Sequence, residues 1–480
     1  MMNPETKLKS SMETSNNKLN IKLLFSELFK DRIFFKRMIG IALPVAFQNL
    51  LNMVVNMVDT LMIGELGTSA VAAVGLGNKV YFVFALLVFG ISSGIGLLSA
   101  QYWGSKDIKS IRRVLGLGIL IAISASLIFT LSAFFIPEAL MRIFTASPDT
   151  IKLGISYLVV VCFSYPFTAL TNIHVYTLRA MGEVKIPVIT SVSAIIINIT
   201  ANYILIFGKL GMPALGVAGA AYATLIARVF ECLAVLIIIR IIKSPLVCFL
   251  KEMFSFNKHI ISQFMTNSIP VIANELMWGL GITVYSMAYG RMGDEAVAAV
   301  TIATTLTDVT LVIFMGLAAA SVVVLGNEMG ADHLEKAKKY ASYFYVVSIF
   351  MGLIASLICL LVGRQYSLMF NVSDKVRKDV VYCLIAHAFL QPFVGITTVN
   401  MVGILRSGGD TRASFLIDIS GVWLIGVPLA FIGGLLFKFP VYIVYAMVTG
   451  EEIYKTVLGY IRYKKYKWLK NLAVELKNKI

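Results

Sequence analysis

The sequence predicts an all-α membrane protein: twelve transmembrane helices in two six-helix lobes related by a pseudo-twofold axis. Three observations predict it, namely the composition, a succession of twelve apolar runs, and an internal repeat. Hydrophobic residues are 58% of the 480 and charged residues 14%, against roughly 45–50% and 25% in soluble chains. So few charges cannot coat a water-soluble surface of this size, which excludes a soluble enzyme, a disordered scaffold and a secreted disulfide domain.

A helical span needs about 20 mostly apolar residues. Such runs fall near 38–64, 71–98, 114–136, 153–178, 187–208, 216–242, 261–289, 296–326, 340–363, 378–405, 413–436 and 439–461. None alternates with period two, so helices are the way to satisfy the backbone in lipid. The spans group into an N-lobe (38–242), a connector (243–260) and a C-lobe (261–461). Residues 1–37 form a polar tail with an amphipathic piece around Ile21–Phe35 expected on the membrane surface, and 462–480 form a basic tail.

The net charge is +16. Its basic residues cluster in short loops, a topology signal in a membrane protein and not a nucleic-acid footprint. The two ends and the even-numbered loops carry 30 of the 42 Lys and Arg. By the positive-inside rule both termini are cytoplasmic, as an even span count also requires; the low-complexity start and high Lys and Ile content point to a bacterial plasma (inner) membrane. The five cysteines show no metal-ligand spacing and read as free thiols.

The repeat emerges when Pro44 is set on Pro270. Gly64 then meets Gly290, Gly67 meets Gly293, Ala70–Val74 meets Ala296–Val300, Gly90 meets Gly316 and Gly104 meets Gly330. One residue further along, Leu178-Arg179 and Gly182 fall on Leu405-Arg406 and Gly409. Each half holds six spans, so both halves insert the same way round, with the axis along the membrane normal. Two such lobes enclose a central cavity that rocking opens to either side.

Polar residues inside spans are costly and mark functional positions. On the first span Gln48, Asn52, Asn56 and Asp59 share one face, a hydrated wall ending in a carboxylate. Asn198 and Asn202 on the fifth span, with Thr224 on the sixth, are placed to join Asp59 around a cation or to bond its protonated form. The seventh span offers Asn274, Glu275, Trp278 and Tyr285, and the eighth Asp308. Rings beside carboxylates suit a lipophilic cation. Of the in-span charges, seven are acidic (Asp59, Glu231, Glu275, Asp308, Asp418, Glu451, Glu452) against Lys79, Arg228 and Lys455. Among the amides and aromatics, helix–helix packing competes with a cavity role. No phosphate-binding G-x-x-x-x-G-K-[ST] and no hydrolase motif occurs. An ion gradient is then the energy source expected for transport.

Several segments resemble the multidrug and toxic compound extrusion (MATE) transporters: Pro44 with V-D-T-L-M-I-G-E-L-G at 58–67, A-V-A-A-V at 70–74, A-Q-Y-W-G at 100–104, L-R-A-M-G at 178–182, G-V-A-G-A-A-Y-A-T at 216–224 and L-R-S-G-G-D-T at 405–411. The resemblance covers about residues 36–460. It implies an antiporter, monomeric and without cofactor, that exchanges protons or sodium for organic, often cationic, compounds. It also implies a proton- or sodium-binding role for Asp59, with Asn198 and Asn202 beside it. Glu275 matches an acid on the seventh helix of some members, which often pair it with an Asp on the tenth. Here 391–400 holds no acid, so Asp308 would have to stand in. A lipid-linked oligosaccharide flippase of the same build is the transport alternative, and a membrane-embedded enzyme or assembly subunit the alternative from another class.

Overall fold

The computed structural model describes residues 27–28, 30–248 and 250–477. The expected surface segment therefore lies largely outside the described residues. Its last part is not separate: Arg32–Phe35 already belong to the first span. Asp31 caps that helix, its carboxylate accepting from the Phe34 amide at 2.9 Å, and this sets the start six residues earlier than hydropathy alone places it.

The described residues are helical throughout, without strands. The twelve spans are α1 (Arg32–Gly64), α2 (Thr68–Gly104), α3 (Ile108–Phe135), α4 (Pro148–Val161 and Ser164–Ala180), α5 (Lys185–Phe207), α6 (Val217–Ile241), α7 (Lys258–Met292), α8 (Asp294–Gly330), α9 (Leu334–Leu368), α10 (Asp374–Leu405), α11 (Thr411–Leu436) and α12 (Val441–Thr449 and Glu451–Lys464). Ten are long and apolar enough to cross a bilayer, counting the bent α4 as one. The other two, α7 and α12, are diluted by Asn267, Asn274 and Glu275 and by Glu451, Glu452 and Lys455.

The bend in α4, 49°, has a local cause. Pro166 has no N–H to give the carbonyl four residues back, that of Cys162. The Thr130 hydroxyl takes up that carbonyl instead, at 3.0 Å. Pro392 in α10 likewise frees the carbonyl of Ala388, which accepts from Ser356 at 2.6 Å. The C-lobe relieves its backbone further by π-helical turns at Val399–Leu405, Gly421–Gly426 and Ile432–Leu436.

Both lobes have one plan. In each, the first helix packs on the fifth, the second on the third and fourth, and the sixth on the fourth and fifth. The turns agree too: Gly67 and Gly293 take φ of 106° and 113°, and Gly182 and Gly409 take 87° and 77°, values open to glycine.

The lobes meet through α1 on α8, α2 on α7, and α2 on α8. Contacts obey the 226-residue offset. A Cβ on Gly90 would strike Ile272, and one on Gly316 would strike Ala42 and Ala46. Ile272 and Ala46 are themselves repeat mates. Among the described residues, every hydrogen bond between the lobes lies at the end where the termini sit. Arg37 pairs with Glu328, and Tyr102 donates to Gln263. Gln101 donates to the carbonyls of Ser407 and Lys470 at 2.8 and 3.2 Å and accepts from the Leu472 amide at 2.7 Å.

The basic C-terminal segment is no free tail. Arg462 clamps Asp410 through two bonds of 2.6 and 2.7 Å. Trp468 is fully buried in the C-lobe core, and Leu472 and Ala473 sit in a cluster built from both lobes. Its apolar residues, spaced for a packed turn, outweigh the lysines between them.

Candidate functional site: a polar N-lobe cavity and its charges

The polar face of α1 borders two adjoining cavities. The first, about 310 Å³, is walled on the N-lobe side by Gln48, Asn49, Asn52, Asn172, Tyr176, Arg179 and Arg228. Its other wall is apolar and comes from the C-lobe: Met315, Ala319, Val322, Val323 and Val402. The second, about 530 Å³, lies within the N-lobe and is lined by Asn52, Asn56, Asp59, Asn198 and Thr224. Asn52, Tyr81, Ser191 and Arg228 border both.

Asp59 stands three turns along α1 from Gln48. Asn202 Nδ2 donates to its Oδ1 at 2.6 Å and to Asn198 Oδ1 at 3.3 Å. The Asn202 Oδ1 is buried without a partner. The second cavity is thus lined by the Asp59 carboxylate, the Asn198 amide and the Thr224 hydroxyl, with Asn202 buried behind Asp59 and Asn198; oxygen groups of this kind suit a proton or a small hard cation.

In the C-lobe the sequence-selected residues are used differently. Glu275 forms an ion pair with Arg406 at 2.8 Å, the arginine side chain only 2% exposed. Asn274 donates to Asp418 at 3.0 Å. The Tyr285 hydroxyl donates to Glu451 at 2.5 Å, with the Val422 carbonyl 3.3 Å away, and Trp278 packs against the same core. None of these borders either cavity. Carboxylates on α11 and α12 thus hold Asn274 and Tyr285 within the lobe. Asp308 is exposed.

Arg179 and Arg406 are what the sequence reading missed. Both stand at span ends and were grouped with the loop cations, yet both project inward. Arg179 Nη2 donates to Gln48 Oε1 at 2.5 Å, with its guanidinium 5.4 Å from the Tyr176 ring. The signal was the repeat itself, which superposes the two L-R-x-x-G segments. Lys455 pairs with Asp418, Glu451 and Glu452 at 2.9, 2.8 and 3.0 Å, and Arg228 pairs with Glu231 at 2.8 Å. The acidic excess expected inside the membrane is thereby reduced. Of the seven in-span carboxylates only Asp59 and Asp308 have no ion-pair partner among the described residues, and of these two Asp59 borders a cavity, while Glu231, paired with Arg228, borders the first.

Comparison with known proteins agrees with this architecture. The MatE family model matches residues 44–204 and again 270–432, the two lobes at the repeat offset. The "Uncharacterized transporter YisQ" of Bacillus subtilis is 22% identical over 89% of this chain and 93% of its own length. The "Probable multidrug resistance protein NorM" of Thermotoga maritima is 23% identical over 92% and 94%. Among solved structures, one described as MATE in the bent conformation superposes with a TM-score of 0.83 at 20% identity, covering 92% of this chain and 97% of the other. With the matched segments covering both lobes, the chain belongs to the MatE family.

Proposed function

We propose that the protein is a multidrug exporter of the plasma (inner) membrane, an antiporter that exchanges protons or sodium for amphiphilic organic cations by alternating access of its two lobes. The observation that carries this reading is Asp59: a carboxylate without an ion-pair partner, on the wall of a polar cavity, at hydrogen-bond distance from an amide with an unused oxygen. An unpaired carboxylate in low dielectric gains from binding a proton or a cation. The apolar α8 wall suits the hydrophobic body of a drug. Both termini are placed in the cytoplasm by the loop charges, so the bonded end of the lobe interface faces the cytoplasm and the resting state opens outward.

In the cycle, the ion binds at Asp59 from outside and the drug departs. The lobes rock, the ion leaves inside and a new drug enters. Coupling requires that ion and drug favour different states or compete for one site.

Asp59→Asn in everted vesicles, under a proton and then a sodium gradient, tests this. Loss of gradient-driven uptake of a fluorescent cation is expected, and undiminished uptake would reject the role of Asp59. The lipid-linked oligosaccharide flippase is favoured by the inward Arg179, but a pyrophosphate asks for several free cations. Arg228 is neutralised by Glu231, which leaves that site one guanidinium.

A further inference from the structure

The repeat places Arg179 and Arg406 at equivalent positions of α4 and α10, but their electrostatic situations differ. Arg406 is matched by Glu275 and shut into the protein. The repeat mate of Glu275 is Asn49 and that of Asn274 is Gln48. The N-lobe thus holds the same guanidinium opposite two amides. Among the described residues Arg179 makes one hydrogen bond, to a neutral oxygen, and takes part in no salt bridge. A guanidinium has five N–H donors. Four remain, on a side chain that borders the cavity beside Asn49, Asn172 and Tyr176.

Keeping an unpaired cation at this depth is costly unless something compensates it. In the C-lobe the chain supplies the compensation itself. In the N-lobe it supplies room instead. The fixed fork of the guanidinium matches the two oxygens of a carboxylate or one edge of a phosphate.

We propose that Arg179, with Gln48 and Asn49, forms an oxyanion subsite in the first cavity, between the lobes, so that the preferred substrates carry a carboxylate besides their cationic group. This rests on, and sharpens, the export reading above. Gln48 and Asp59 are eleven residues apart on α1, about 16 Å along the axis at 1.5 Å per residue. The two adjoining cavities are therefore polarised, with the Arg179 guanidinium in the first and the Asp59 carboxylate in the second, while Arg228 and Glu231 neutralise each other. A dipolar substrate aligns with that field, its body on the apolar α8 wall. A simple cation fills the same space with its positive charge facing Asp59 and leaves Arg179 unmatched.

Rhodamine B, which has a free carboxylate, and its ethyl ester, a plain cation, separate the possibilities. Binding of each to the full-length protein in detergent is read by fluorescence polarisation. The wild type is expected to bind rhodamine B about tenfold more tightly than the ester, the worth of one charge-assisted contact. Arg179→Gln should bring the ratio near one. Asn49→Glu should do the same by recreating the pair seen at Glu275, and it provides the reading if the glutamine variant does not fold. Arg179→Lys should retain part of the preference. A wild-type ratio near one overturns the subsite, as does a ratio that survives Arg179→Gln. Equal weakening of both dyes by Arg179→Gln also overturns it, because a purely structural arginine would act that way. Gradient-driven uptake of the ester by everted vesicles is the separate arm: its absence counts against export and leaves the binding ratio to judge the subsite.

Discussion

Gly104 and Gly330, 226 residues apart, each press on the other lobe at the repeat mate of a shared position: a Cβ on Gly104 would meet the carbonyl of Asn327, and one on Gly330 the carbonyl of Gln101. The two contacts are one contact seen twice, across the pseudo-twofold axis between α2 and α8. They hold the lobes closed at the end of the molecule where the termini lie.

Gly330→Ala should loosen that closure. Overpacking at such a site costs about 1–3 kcal/mol, and backbone on the far side cannot rotate away. A lower apparent Tm is expected, along with faster hydrogen exchange around 101–106. Gly75→Ala on α2, where no atom lies within 4 Å, should be neutral or mildly stabilising. Equal effects of the two would contradict the account of the closure.

Lys455 is a cation 2% exposed among three carboxylates. Lys455→Met leaves those charges buried and unopposed, a loss of about 3–5 kcal/mol. Expression and thermal stability in detergent should both collapse. Glu452→Gln, which leaves Lys455 two carboxylates, should be far milder. A stable Lys455→Met protein would mean the cluster is hydrated and not structural.

The C-terminal segment bridges both lobes through Trp468, Leu472 and Gln101. Trp468→Ala should cost about 3–5 kcal/mol of packing and release the bridge. Hydrogen exchange should then rise at 101–106 and 405–410 while 60–70, at the far end, stays unchanged. Uniform change along the chain would argue for global destabilisation and against a local strap.

Arg37→Gln removes the ion pair to Glu328, but the arginine is 32% exposed and Glu328 also meets Lys336 and His333. A stability change below about 1 kcal/mol is expected. Its effect should appear in the balance of states, as easier labelling of residues at the bonded end of the interface.

Much of this protein was written in the order of its residues. The spans follow from composition, because lipid leaves a backbone no other way to pair its groups. The doubling follows from spacing: Pro44 and Pro270 both stand inside a lobe's first helix, Gly67 and Gly293 both make turns, and Gly90 and Gly316 both make close approaches. The stripe from Gln48 to Asp59 lines cavities because helical periodicity puts it on one face. What the tertiary structure alone decided is which charges remain free. Glu275 and Arg406 are 131 residues apart, and Lys455 reaches Asp418 across from another helix. Such pairings depend on how each helix is turned about its axis and on distances between helices far apart in the chain, neither of which a hydropathy pattern encodes. Thus Glu275, read as an ion-binding acid, is paired with Arg406, and Tyr285 bonds Glu451, while Arg179, at a span end, borders the cavity.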